Sequence, residues 1–257
     1  MEVPVGRLLV MVVSLVLAGY GTVAAQIVDI EGRYWFADLD ASAKVKSDSA
    51  PGTRIDLDSD LGIDGGNLPE LRLTIATGLN SKIRFAYTHG DFEGDKTIER
   101  SVQFAGTTFT ANARIESEME LHYGRIGWAW QFIAVPGIFK IGPLLELKGL
   151  VIDASLRGRG AGTNVHDSAV LPMAFPTVGA MANVTPVKWL DVFAVVSGIP
   201  FGDLGHIVDA EAGVRVIPVQ FLSFSAGYRV LDVRLGKDDN FARLNLAGPF
   251  LGASLRF

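Results

Sequence analysis

The sequence predicts an all-β fold, an antiparallel up-and-down transmembrane β-barrel of ten strands, with eight and twelve as the neighbouring even counts. Three observations predict it. Apolar and polar residues alternate with period two over most of the chain. The connections alternate between tight turns and long polar loops. Mean hydropathy is positive, +0.30, yet beyond the amino terminus no run of about 18 uncharged apolar residues exists. The hydrophobicity is therefore carried by strands.

Composition narrows the function classes. The 257 residues are 49% hydrophobic and 20% charged, which excludes a disordered or collagen-like chain. With 23 Lys+Arg against 28 Asp+Glu the net charge is −5, and no basic block exists to neutralise a run of phosphates. Nucleic acid is not an expected partner. The absence of cysteine excludes a disulfide framework, a thiolate metal site, a catalytic cysteine and a lipidated cysteine.

Residues 1–25 have the architecture of a cleaved secretory signal peptide. Glu2 and Arg7 lie in a short n-region, residues 8–18 are apolar except for Ser14, and Val23 and Ala25 are the small residues before a cut at Gln26. The apolar run is about 11 residues, too short for the ~20 that cross a bilayer. Residues 26–257 are then the barrel.

Strand by strand, Ile30, Tyr34 and Phe36 alternate with Asp29, Glu31 and Arg33. Leu71, Leu73 and Ile75 alternate with Glu70, Arg72 and Thr74, and Ile83, Phe85 and Tyr87 with Lys82, Arg84 and Ala86. Ile115, Met119 and Leu121 oppose Glu116, Glu118, Glu120 and His122, after which the apolar phase passes to Ile126, Trp128, Trp130 and Phe132. That change predicts a β-bulge near Gly124. Further strands follow at 139–147, 208–215, 222–229 and 251–257. Segment 170–184 is mostly apolar on both faces and 190–199 has only Asp191, Ser197 and neighbours as polar relief, but their valines and bounding turn residues predict strands. Tight turns fall at 78–81, 135–138, 185–188 and 218–220. Long connections fall at 46–67, 91–112, 153–168, 199–205 and 234–240. Three tight turns repeat a proline followed by an aromatic: Pro136 and Phe139, Pro186 and Trp189, Pro218 and Phe221.

The polar strand faces carry Arg33, Arg72, Arg84, Lys140, Lys148, Arg215, Arg229 and Arg256 with Asp29, Glu31, Glu70, Glu116, Glu118, Glu120, Glu146, Asp191, Asp209 and Glu211. Eight cations and ten anions are too many for a dry soluble core, so the apolar faces must meet lipid and the charged faces a lumen. Ten strands enclose little space, which these charges fill as a salt-bridged plug or line as a narrow pore. The row Glu116, Glu118, Glu120 is the sharpest feature expected in that lumen, with Arg72 and Arg84 as its nearest counter-charges in chain order.

The terminal run Leu251, Ala253, Leu255, Phe257 resembles the assembly signature of Gram-negative outer-membrane β-barrels. Asp56, Leu57, Leu61 and Gly62, followed by a strand at Pro69, are similar to the first outer loop of small porin-like members. The resemblance implies an outer-membrane location, outer-membrane lipid as the surroundings, and barrel-assembly machinery that reads the strand ending in Phe257. It also implies a role as a small porin-like channel, passing a small solute, or as a surface-exposed structural protein without catalysis. No cofactor is implied.

Other candidate chemistry is weaker. Asp56, Asp58 and Asp60 have the spacing that opens a calcium loop, but Leu61 and Asn67 stand where that loop needs Gly and Glu. His166 and Ser168 form a His-x-Ser pair similar to that of outer-membrane lipid A deacylases, the basis of an alternative reading as a lipid-directed hydrolase. They fall in the glycine-rich stretch 157–168, with no carboxylate placed to orient the histidine. His89, His122 and His206 are scattered singly, with no metal-ligand spacing.

Overall fold

The computed structural model describes residues 28–44, 54–63, 65–78, 80–98, 101–104, 107–109, 111–160, 163–237 and 240–257. The expected signal segment lies outside the described residues. In chain order the elements are β1 (Val28–Lys44), β2 (Arg54–Asp56), α1 (Leu57–Leu61), β3 (Gly65–Ala76), β4 (Ser81–Thr97), β5 (Val102–Phe104), β6 (Thr107–Phe109), β7 (Arg114–Trp130) and β8 (Phe132–Val135). They continue as β9 (Phe139–Gly160), β10 (Thr163–Val187), β11 (Leu190–Pro200), β12 (Gly205–Val219), β13 (Leu222–Lys237) and β14 (Asn240–Arg256).

Ten of these strands form a closed antiparallel barrel in chain order, β1-β3-β4-β7-β9-β10-β11-β12-β13-β14, with β14 pairing back onto β1. Closure aligns Tyr34 with Leu251 and is sealed at the short-turn end, where Val28 and Phe257 exchange backbone hydrogen bonds of 3.0 and 2.8 Å. A closed sheet leaves no unpaired edge, which hydrocarbon demands. β8 folds back on β9, β2 pairs the end of β1, and β5–β6 is a separate hairpin.

The outward face carries an apolar belt. Tyr34, Phe36, Leu71, Phe85, Tyr87, Ile126, Trp128, Leu145, Leu147, Val214, Phe224, Tyr228 and Leu251 are all large and exposed. Trp130, Phe132, Trp189, Phe221 and Phe257 gather at the short-turn end, as an interfacial aromatic girdle does. An apolar exposed surface of this extent needs lipid to cover it.

No bulge occurs at Gly124: the pairings of β7 with β4 and β9 run through it without a shift. The expected phase change is instead a change of surroundings. Even-numbered residues of β7 face outward throughout, so Ile126, Trp128 and Trp130 meet lipid while Glu116, Glu118, Glu120 and His122 continue the same face beyond the belt. Ile115, Met119, Leu121 and Tyr123 point inward and are buried. The long-loop half is thus built like a water-soluble barrel, with an apolar inside and a charged outside.

That inversion also lengthens the strands. A tilted strand crosses a bilayer with about 9–11 residues, whereas β7 has 17, β9 has 22 and β10 has 25. Much of the chain expected as long loops at 91–112 and 153–168 is therefore strand, its inward residues (Phe92, Leu156) closing an apolar core. The repeated prolines mark irregularities: register shifts fall at Ile133/Val135, Val184/Val187 and Val216/Val219, beside Pro136, Pro186 and Pro218. Proline has no N–H for the ladder, so pairing ends or slips there.

Candidate functional site

The lumen has three layers. At the short-turn end is a vestibule of about 680 Å³, bounded by Ala76, Thr77 and Ser81 at its mouth and lined by Lys82, Arg84, Lys140, Arg215 and Arg256. Arg256 is held by Asp29 at 3.1 Å and Arg215 by Glu31 at 3.5 Å. Lys82 donates to Gln131 at 2.9 Å.

Above it lies an ionic layer. Asp209 accepts from Arg229 at 3.0 Å, Arg125 and Lys148 at 3.2 Å each, and the Tyr123 hydroxyl at 2.9 Å. Glu70 accepts from Arg229 and Arg125, both at 2.6 Å, from Thr88 at 2.6 Å, and from Arg72. Arg72 also grips Glu211 through two nitrogens at 2.7 and 2.5 Å, and Arg33 joins Glu211 at 3.1 Å to Glu31 at 2.9 Å. Glu146 accepts from Ser197 at 2.7 Å and faces Lys148 at 3.4 Å and Arg84 at 3.8 Å. Each strand supplies these groups from its inward positions: Glu70 and Arg72 from β3, Glu146 and Lys148 from β9, Asp209 and Glu211 from β12. Spacing by two residues is what stacks them on one face.

The third layer is apolar. Trp35, Leu68, Tyr123, Leu150, Leu231, Leu246 and Phe250 are buried and in one cluster. Arg229 lies 4.6 Å from the Trp35 ring centre and Arg33 4.3 Å from that of Phe250, so guanidinium faces join the two layers. Gly213 and Gly227 are register partners facing the lumen; a Cβ on Gly227 would meet Phe250 Cζ at 2.7 Å, and one on Gly213 would meet Phe193 Cζ at 3.0 Å. The rings fill the space that those glycines leave. Farther up, Ile55, Leu61 and Ile63 of the α1 region join the same core. Asp56 caps α1 through the Ser59 N–H at 3.2 Å, and Asp60 accepts from the Asp56 N–H at 2.9 Å, so two of the calcium-like aspartates serve the local turn.

Of the charged residues expected in the lumen, Arg72, Arg84, Glu146, Lys148, Asp209, Glu211, Arg215, Arg229 and Arg256 meet in these layers, with Lys140 at the vestibule. Glu116, Glu118 and Glu120 do not: they lie on the outer face of β7, beyond the lipid belt, and Arg72 and Arg84 pair elsewhere. Arg125, which bridges Glu70 and Asp209, is absent from the expected set, although the outward phase of Ile126, Trp128 and Trp130 already sets it on the inward face. Sustained alternation from Tyr123 to Ala129 was the signal that could have found it.

Ser168 is exposed on β10, opposite Ser155 of β9, and His166 aligns with Arg157, its side chain outside the described ones. Residues 157–160 and 163–168 are paired strand, not loop. Sequence spacing also failed for two histidines: β4 and β7 pair so that His89 stands directly opposite His122, with Glu120 alongside.

No family model matches the chain, and no curated protein sequence does. Among solved structures it is similar to the outer-membrane protease OmpT of Escherichia coli, with a TM-score of 0.52 at 7% identity over 92% of this chain and 98% of that one. It is also similar to the translocator domain of the autotransporter NalP from Neisseria meningitidis (TM-score 0.46, 10% identity, 98% of this chain and 96% of that one) and to Ail of Yersinia pestis (TM-score 0.36, 12% identity, 91% and 100%). The chain has the fold of outer-membrane β-barrel proteins.

Proposed function

We propose that this chain is an outer-membrane protein of a Gram-negative bacterium that works as a surface-exposed barrel without catalysis, and that its lumen passes no solute. One observation carries the reading. The ionic layer and the apolar layer above it lie in series, and Arg229, Lys148 and Tyr123 at their junction are at most 1% exposed. An ion would have to cross both a paired charge network and a dry apolar section, and hydrophobic constrictions block conduction by dewetting. In this reading the vestibule is a blind pocket on the periplasmic side, and the charged half of the wall projects outside the cell. Residues 1–25 serve as the export signal. Outer-membrane lipid covers the belt, and the assembly machinery recognises the strand ending at Phe257. The test is conductance of the purified protein in a planar bilayer. We expect no current steps above the bare membrane, and steady single-channel openings of the wild-type chain overturn the sealed-barrel reading.

A further inference from the structure

We propose that His89, His122 and Glu120, with Asp91 as a fourth donor, form a binding site for a divalent transition-metal ion such as zinc on the outer wall of the barrel, just above the lipid belt. The register builds the cluster. His89 and His122 are direct partners across β4 and β7, and the next pair outward sets Asp91 opposite Glu120. His122 Nε2 lies 3.3 Å from Glu120 Oε1, His89 Nε2 lies 3.2 Å from Asp91 Oδ2, and His89 Nε2 lies 4.0 Å from Glu120 Oε1. The donor atoms of His89, Glu120 and His122 all lie within 4.8 Å of one another. Four ligands at about 2.0–2.1 Å from a tetrahedral zinc stand about 3.3–3.4 Å apart, so small rotamer adjustments close the shell.

The surroundings orient the rings. His122 Nδ1 lies 2.7 Å from the Tyr87 hydroxyl, and the two rings are stacked with an interplanar angle of 19°. With Nδ1 donating to Tyr87, the Nε2 lone pair is left to face Glu120, the arrangement in which a metal-ligating histidine is held by its other nitrogen. Gly124 stands opposite Tyr87 in register, and nothing lies within 4 Å of where its Cβ would be, so the phenol has room beside His122. The His89 and His122 rings are themselves stacked at 5.0 Å, and His89 Nδ1 is buried with no hydrogen-bond partner among the described residues, which leaves Nε2 as the polar end of that ring.

Charge points the same way. Asp91 and Glu120, then Glu93 and Glu118, then Asp95 and Glu116 stand opposite one another in consecutive pairs. Like charges directly across a ladder are destabilising. Arg114 relieves Asp95 at 2.7 Å, and a divalent ion relieves the pair at the histidine end. Two imidazoles select a borderline transition ion over calcium or magnesium, which take oxygen ligands.

The test uses the folded full-length barrel in detergent, stripped with chelator and titrated calorimetrically with zinc chloride. We expect one ion per chain, retained in millimolar magnesium. His122→Ala and Glu120→Gln each weaken binding at least about 10-fold, and Tyr87→Phe weakens it about 10-fold by loosening His122. Glu118→Gln, outside the cluster, leaves it unchanged. Zinc should also raise the urea midpoint of the wild type and not of His122→Ala, with heat-dependent gel mobility confirming that each variant is folded. If the double variant His89→Ala/His122→Ala keeps the one-to-one site, or if magnesium displaces the zinc, the site is not this cluster but the acidic wall at large. If the wild type takes up no zinc, the cluster is a histidine–carboxylate network only and the proposal fails.

Discussion

Asp209→Asn removes one negative charge from the centre of the lumen while changing the shape of the side chain little. Asp209 is 4% exposed and is the shared acceptor of Arg229, Arg125, Lys148 and Tyr123. The ionic layer holds six cations (Arg33, Arg72, Arg84, Arg125, Lys148, Arg229) against five carboxylates (Glu31, Glu70, Glu146, Asp209, Glu211) among the described residues, with Arg215 of the vestibule reaching Glu31 from outside the layer. Six against five becomes six against four. Removing one partner from a buried ionic group costs about 3–5 kcal/mol, because the other charges stay desolvated without compensation. Lys148 is fully buried and its closest carboxylates are Asp209 at 3.2 Å and Glu146 at 3.4 Å. Lys148→Met added to Asp209→Asn restores a surplus of one cation, and the double variant should recover about 2 kcal/mol of the loss. The assay is urea unfolding of the barrel in lipid vesicles, followed by tryptophan fluorescence and by heat-dependent gel mobility. If Asp209→Asn lies within about 1 kcal/mol of wild type, or if the two single costs simply add, the layer is not a coupled network and the reasoning is wrong.

Three further outcomes follow from the same geometry. Ala253→Arg, in the middle of the lipid belt on β14, should cost about 2–4 kcal/mol, whereas Asn245→Arg, on the same face beyond the belt, should cost about 0–1 kcal/mol; equal unfolding free energies would place the belt wrongly. Replacing Glu116, Glu118 and Glu120 together by glutamine should leave the planar-bilayer recording as silent as that of the wild type, since all three lie outside the lumen; current steps in the variant alone would return them to it. Gly227→Ala would set its methyl 2.3 Å from the Ala212 carbonyl oxygen and 2.7 Å from Phe250, so overpacking should cost about 1–3 kcal/mol, and a circular dichroism melt unchanged from wild type would count against that packing.

Much of this was legible in the chain. Period two located the membrane-crossing strands because lipid on one side and a charged lumen on the other force strict alternation. That is why Glu70 and Arg72, Glu146 and Lys148, and Asp209 and Glu211 are assignable to one face from the chain alone. Which lumenal charges meet was not legible, because Arg229 reaches Glu70 across 159 residues and the pairing depends on barrel closure. His89 and His122 escaped for a related reason: a metal-ligand spacing read along one strand says nothing about partners set by the register of two.

The half of β7 beyond the belt shows a deeper limit. Alternation states that two faces differ in polarity; it does not state which face is outside, since that depends on the medium around the strand. Within lipid, apolar side chains gain nothing by turning inward, so the inside is left to charges that must pair with one another. Beyond lipid, water drives the apolar residues in, and the same strand reverses its pattern without a bulge. The reversal therefore marks where the lipid belt ends on each strand. Outside it falls between Phe36 and Asp38, between Tyr87 and His89, and between Ile126 and His122. Inside it falls between Arg33 and Trp35, between Glu70 and Leu68, between Lys148 and Leu150, and between Arg229 and Leu231. Both faces switch within a residue or two of one level, because a single boundary between lipid and water governs them. The sealing layer and the histidine cluster sit at that boundary, one on each side of the same wall.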